Sequence, residues 1–264
     1  MSPSIASRVF ALTGGASGMG AATARLLARH GAGAISIADN QSQNFHELKK
    51  QLNEINPSTA IRMTQLDVSS KSDVREWINS TVHAFGDLHG AANVAGKPQP
   101  SVTRKLPAIL DEDEELWNQI MRVNVDGIFY CTKAEIEAMH NLPPMPRAII
   151  NVASLTSICH SPDIFAYSTS KAACVHFSTC VANDVRNGHI RVNTVSPGAT
   201  DTPMMKYFLP AQSKQNETAI RKELEGRGAR IMEPEHVAEA IVWLLSDESA
   251  RVTGVNLVVG GNIP

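Results

Sequence analysis

The segment Thr13-Gly14-Gly15-Ala16-Ser17-Gly18-Met19-Gly20 stands between a short apolar run, Val9–Thr13, and residues 21–30, where alanines and leucines recur at helical spacing. Strand, glycine turn and helix in that order constrain the chain strongly, because such a crossover returns to a parallel neighbour and does so right-handedly. Gly14, Gly18 and Gly20 remove Cβ atoms where the backbone must turn and where a ligand must approach it closely. The helix N-terminus that follows offers free N–H donors and positive potential. Glycines alone would also serve a plain tight turn; the strand-to-helix context argues for a dinucleotide pyrophosphate held against Gly14, Ala16, Ser17, Gly18, Met19 and Gly20.

The same rhythm continues along the chain. Strands are expected at 34–38, 61–66, 88–94, 148–152, 191–195 and Asn256–Val259, and helices at 44–55, Lys71–Phe85, 114–139, 165–186 and 235–245. Strands alternating with helices predict an α/β fold, a Rossmann-type doubly wound parallel sheet of about seven strands with helices on both faces. With 264 residues and 43% hydrophobic content, one domain spanning 1–264 can bury the core. Two stretches interrupt the pattern. Residues 97–113 carry Pro98, Pro100 and Pro107 and end in an acidic cluster, and residues 202–230 are polar and broken by Pro203, Pro210, Gly226 and Gly228. Both follow strand ends, where substrate loops belong, although either would also serve as a surface insertion. The second is read as a substrate lid whose Met204, Met205, Tyr207 and Phe208 suit a bulky, partly apolar ligand; packing of the lid or a subunit contact is the competing reading.

A net charge of −2 without a basic stripe argues against nucleic acid and anionic membranes and leaves a small molecule as the partner. No apolar run reaches the length of a membrane span and the first residues lead directly into a strand, so a cytoplasmic protein is expected. Cys131, Cys159, Cys174 and Cys180 lack CxxC spacing and are read as reduced, packed thiols. The histidines form no HxxxH pair, and no metal is expected.

Two further signals carry chemistry. Asp39 ends the second strand, where a carboxylate accepts hydrogen bonds from both ribose hydroxyls of adenosine and repels a 2′-phosphate; capping a helix is its plain alternative. Neither Arg nor Lys occurs among Ala16, Ser17, Asn40 and Gln41, so NAD is favoured over NADP. Tyr167 and Lys171 lie four residues apart on a helix and share one face, whereas Tyr130 and Tyr207 have alanine four residues on. A nearby ammonium favours the phenolate, so the spacing predicts a Tyr167 pKa lowered toward the range of useful proton transfer.

These motifs, in order, make the chain resemble a short-chain dehydrogenase/reductase of the standard, roughly 250-residue branch. The resemblance implies that Asp67 and Val68 contact adenine, and that Asn93, Ala95 and Gly96 form the turn supporting the central sheet and cofactor loop, with Val94 where the family has a second asparagine. It implies a catalytic set of Asn124, Ser154, Tyr167 and Lys171, in which Ser154 and Tyr167 meet the substrate oxygen. Lys171 holds the nicotinamide ribose, and Asn124 anchors a water linking Lys171 to solvent. Pro197, Gly198, Thr200 and Thr202 are implied to hold the nicotinamide carboxamide and the phosphates. Family members are commonly tetramers or dimers, so a homo-oligomer is implied too. Segments such as 86–93 and 241–246 are similar to short-chain dehydrogenases that tailor natural products in filamentous fungi. The expected function is NAD-dependent interconversion of an alcohol and its carbonyl. An NADPH-dependent ketoreductase, or a redox-neutral cyclase, isomerase or cofactor sensor on the same scaffold, is the alternative.

Overall fold

Five consecutive apolar or small residues with no charge among them make Val9–Thr13 (β1) fit only a strand covered on both faces, and all five side chains are buried. The computed structural model describes residues 4–100, 106–159, 163–186, 189–208, 222, 226 and 230–260. After β1 come α1 (Gly18–Arg29), β2 (Ala34–Asp39), α2 (Phe45–Ile55), β3 (Ala60–Gln65), α3 (Lys71–Phe85) and β4 (Gly90–Asn93). Then follow α4 (Glu114–Met121), α5 (Gly127–His140), β5 (Arg147–Val152), α6 (Phe165–Asp184), β6 (Ile190–Pro197), α7 (Pro234–Leu245) and β7 (Asn256–Val259). All strands are parallel in one sheet of order β3-β2-β1-β4-β5-β6-β7. The expected doubly wound sheet is therefore the one observed.

Burial falls from the centre of the sheet outward. β4 and β5 are buried throughout, whereas edge strand β3 is half-exposed and β7 only partly covered. One face packs Leu27 of α1 and Ile241 and Leu245 of α7 against the strands. The other packs Trp77 and Ile78 of α3, Cys131 of α5 and Ala182 of α6. Strand order reverses between β1 and β4, opening a crevice at their carboxyl ends, where ligands bind in folds of this kind.

In its elements and thiols the structure departs from the sequence reading at two points. The single helix expected over 114–139 is divided by a π-helical turn, Arg122–Asp126, between α4 and α5. Of the four thiols, Cys131 and Cys174 are buried, but Cys159 is only partly covered and Cys180 is exposed, because the outer face of α6 carries it toward solvent. Most of the lid read over 202–230 lies outside the described residues; its first part is a 3₁₀ segment, Pro203–Phe208. No helix among the described residues is long and apolar enough to cross a membrane.

Trp77 illustrates how the helical layer is fixed to the sheet. Its ring is buried and its indole N–H donates to Ser36 Oγ of β2 at 2.9 Å, while Ser36 also pairs with Thr81 at 2.7 Å. Trp77→Phe keeps most of the apolar surface and leaves Ser36 one partner, so it should cost about 1 kcal/mol in chemical denaturation. A loss of about 3 kcal/mol or more would show that this hydrogen bond is not what the indole contributes.

Candidate active site

The glycine turn folds as the requirement for backbone access dictates. Gly14 has φ +63°, and a Cβ there would lie 2.7 Å from the Ala95 nitrogen in the loop after β4. At Gly20 a Cβ would lie 2.0 Å from the Gly14 carbonyl oxygen, so the turn and the first turn of α1 can close only on glycine. Ser17, the N-cap of α1, makes no side-chain cap, and no acidic residue lies in the first turn. The positive end of the helix thus keeps its backbone donors for an anion.

Asp39 stands beside this turn. Its Oδ2 accepts from Ala16 N–H at 2.9 Å and its Oδ1 from Gln41 N–H at 2.9 Å, so it ties β2 to the glycine turn rather than capping a helix. A carboxylate has lone pairs for further donors on both oxygens. Asp67 accepts from Ser69 N–H at 2.9 Å, and Val68 is buried against the Gly127 backbone. On the far side, Gly198 N–H bonds Val259 at 3.0 Å, and the Thr200 hydroxyl bonds Gly198 at 3.0 Å beside Pro197. Thr202 approaches Gly18, whose Cβ would lie 3.0 Å from the threonine methyl group. Gly14 and Ala95, Ala16 and Asp39, and Gly18 and Thr202 are thus brought together at the glycine turn, and the uncapped helix and glycine surface there suit an anion such as a pyrophosphate.

The π turn explains how Asn124 reaches this place. Its Oδ1 accepts from Lys97 N–H at 2.7 Å, and its Nδ2 donates to Lys97 O and Ser170 Oγ, each at 3.0 Å. The extra residue in the turn spares a backbone ladder position and aims the amide at the β4 loop and α6. Lys171, buried on α6, donates from Nζ to Val152 O at 2.9 Å. Ser154 caps the short 3₁₀ segment Leu155–Ser157, accepting from Thr156 N–H at 3.2 Å and from Thr156 Oγ1 at 3.1 Å, and its hydroxyl lies near enough to the Tyr167 phenol to favour the phenolate. Ser154, Tyr167, Lys171 and Asn124 thus gather around the carboxyl ends of β4 and β5.

The direction of the tyrosine pKa corrects the sequence reading. Burial pushes the Tyr167 phenol up to about 12, against the lowering effect of the nearby Ser154 hydroxyl. Lys171 Nζ lies 5.7 Å from the ring centroid and is committed to Val152 O, while burial lowers its own pKa. Spacing on a helix shows that the two groups share a face; removal of water from both is what sets the sign.

Among the proposed lid residues, Phe208 packs edge-on to Tyr167 with ring centroids 5.1 Å apart. Met205 is buried, Met204 is partly covered, and Tyr207 points outward at 49% exposure. Two residues escaped the sequence reading. Gln99, fully buried in the loop after β4, accepts from Tyr167 N–H at 3.0 Å and donates to Glu112 at 2.7 Å, which pins the start of α6. Nothing in its local sequence between Pro98 and Pro100 marks it. Glu135 is fully buried on α5, and here a signal existed, since it lies on the helix stripe of Cys131 and Met139.

A family model described as enoyl-(acyl carrier protein) reductase matches residues 14–261. The chain is 49% identical over 264 residues to a chanoclavine-I dehydrogenase of Arthroderma otae, covering 99% of each protein. It is 48% identical over 261 residues to one of Penicillium roqueforti, again covering 99% of each. Among solved structures, levodione reductase superposes with a TM-score of 0.87 at 26% identity, covering 97% of each chain. Fold, ordered motifs and full-length relatives agree, and the chain belongs to the short-chain dehydrogenase/reductase family.

Proposed function

We propose that the chain interconverts an alcohol and its carbonyl with NAD as redox partner, and that Tyr167 carries the proton. The observation that supports this reading is the buried Tyr167 phenol at the carboxyl edge of the sheet, with the Ser154 hydroxyl near enough to lower its pKa and Lys171 Nζ 5.7 Å from its ring centroid. Bound nicotinamide supplies the hydride chemistry. Positioning is the task of the chain. Ser154 Oγ holds the substrate oxygen, and Tyr167 gives that oxygen a proton in reduction or removes one in oxidation. Lys171 has three N–H donors, of which one is used by Val152, leaving others for the nicotinamide ribose and for stabilising a phenolate. Asn124 holds the backbone of Lys97 and the α6 hydroxyl of Ser170, and so sets where Lys171 lies; an anchored water there would link it to solvent.

NAD rather than NADP is favoured by Asp39. A 2′-phosphate would meet its carboxylate, and no Arg or Lys occurs among the neighbouring Ala16, Ser17, Asn40 and Gln41. The names of the full-length relatives make chanoclavine-I the first substrate to test, as part of secondary metabolism. Phe208 against Tyr167 supports a bulky, partly apolar ligand. The remaining proposals are a single catalytic domain with its lid at about 202–230, a cytoplasmic location, and a dimer or tetramer. The exposed Phe129 of α5, packed on Phe177 of α6 at 6.0 Å, supports a subunit contact through those helices.

Tyr167→Phe should lower turnover by about a hundredfold or more while cofactor titration stays near wild type. Unchanged turnover in that variant, followed at the reduced-nicotinamide absorbance band, would remove Tyr167 from the mechanism. Tighter binding of NADPH than NADH would overturn the cofactor assignment. The raised phenol pKa also has a sign: oxidation needs the phenolate, so its kcat/KM should climb as pH rises from neutral toward about 10, whereas reduction, which needs the phenol, should not gain. An oxidation rate that falls over that range would contradict this assignment of roles.

A further inference from the structure

Behind the loop that follows β4 lies a buried polar network. Glu135 Oε2 of α5 accepts from Asn93 Nδ2 at 3.0 Å, and the same amide donates to Asn151 Oδ1 of β5 at 2.9 Å. Asn151 Nδ2 donates in turn to Ser178 Oγ of α6 at 2.9 Å and to Thr132 Oγ1 at 3.3 Å. Within this network two buried atoms have no partner, Asn93 Oδ1 and Glu135 Oε1. Both are acceptors, and they belong to groups already joined by one hydrogen bond. An ionised carboxylate has no proton to offer and leaves both unpaired at the full cost of desolvation. A neutral carboxylic acid has an O–H.

We propose that Glu135 is held as the neutral acid, its Oε1–H donating to Asn93 Oδ1 to close a two-bond ring with the amide, and that this ring is a positioning device for the cofactor loop. The second half rests on the function proposed above. Asn93 is in register with Thr13, the last residue of β1, and Ala95 N–H donates to Thr13 Oγ1 at 3.3 Å. Two residues further on, Lys97 N–H is held by Asn124 at 2.7 Å. Fixing the Asn93 side chain from behind therefore fixes the segment that touches both the glycine turn and Asn124.

The surroundings favour the neutral form. β4, β5 and α6 present the amides of Asn93 and Asn151 and the hydroxyl of Ser178, and α5 itself adds Thr132 and the buried thiol of Cys131. Among the described residues no cation offsets the carboxyl charge, and burial pushes the Glu135 pKa up to about 8. The Cys131 thiol, one turn back, is raised by burial and by the same carboxyl.

Glu135→Gln supplies the test, since a side-chain amide offers an N–H where the acid has its O–H and keeps it at every pH. Infrared difference spectra of wild type against E135Q at about pH 6 should show the carbonyl stretch of a protonated acid, giving way to carboxylate bands as pH rises through about 8; carboxylate bands already at the lower pH overturn the proposal. Thermal unfolding reads the same proton. The unfolded chain ionises Glu135 near its ordinary value while the folded chain holds the proton, so wild-type stability relative to E135Q should fall from about pH 5 to about pH 8 and then level off. Parallel profiles overturn it. For the positioning role, the wild-type NAD dissociation constant should rise severalfold more than that of E135Q over the alkaline range, the contribution of Lys171 being common to both. Glu135→Leu, which removes both bonds of the ring and leaves the Asn93 amide only its bond to Asn151, should weaken NAD binding where E135Q does not. If the leucine variant fails to fold, the wild type and E135Q still decide. A protonated acid with equal NAD affinities throughout would remove the positioning role, whereas absence of NAD binding by the wild type would refute the proposed function and leave the infrared result standing.

Discussion

Where the strand order turns back between β1 and β4, the loops leaving the two strands meet backbone to backbone, with space at Gly14 for a hydrogen and for nothing larger beside Ala95. That contact couples two sites that are distant in sequence. On one side it sets the glycine turn and, through Ala16, the position of Asp39. On the other it sets residues 94–97, whose last member is gripped by Asn124, which also holds Ser170 one residue before Lys171. Displacement of either loop would move the glycine turn and the surroundings of Lys171 together.

Loss of water is the second theme of the site. Tyr167, Lys171 and Glu135 are all buried, and in each the dominant effect of burial is to favour the uncharged form. Under the proposed function, a neutral phenol is the form that donates to a carbonyl oxygen gaining charge. The same low dielectric strengthens any charge that the reaction creates, so the arrangement that makes ionisation costly also makes a neighbouring ammonium more effective once a phenolate forms.

How far the sequence revealed this architecture depended on the range of the interactions involved. The strands were legible because a sheet buried on both faces demands unbroken apolar runs, and their observed ends lie within about two residues of those expected. Tyr167, Ser154, Lys171 and the glycine turn were legible because each depends on local spacing at a strand or helix end. The π turn at Arg122–Asp126 was not, since no proline or internal glycine marks it and its stabilising partners, Lys97 and Ser170, come from elsewhere in the chain. Gln99 escaped for the same reason, as Glu112 is separated from it by a loop and Tyr167 by two helices and a strand besides. The Tyr167 pKa was misread because helical spacing reports which groups are neighbours but not how much water they retain.

Gly96 shows how the two themes combine. A Cβ at this position would lie 3.3 Å from Lys171 Nζ and 3.4 Å from Asn124 Oδ1, so the missing side chain leaves room around the ammonium that a larger residue would occupy. Lys171 is held by Val152 O and is buried, yet its Nζ borders the space over this glycine. The backbone that provides this room is the segment between Asn93, tied to Glu135 in the interior, and Lys97, tied to Asn124 at the crevice. A buried cation can remain available to a ligand only if its protein partners satisfy part of its hydrogen-bonding capacity and leave the rest accessible. Here one carbonyl supplies the partner, and a glycine anchored at both ends supplies the access.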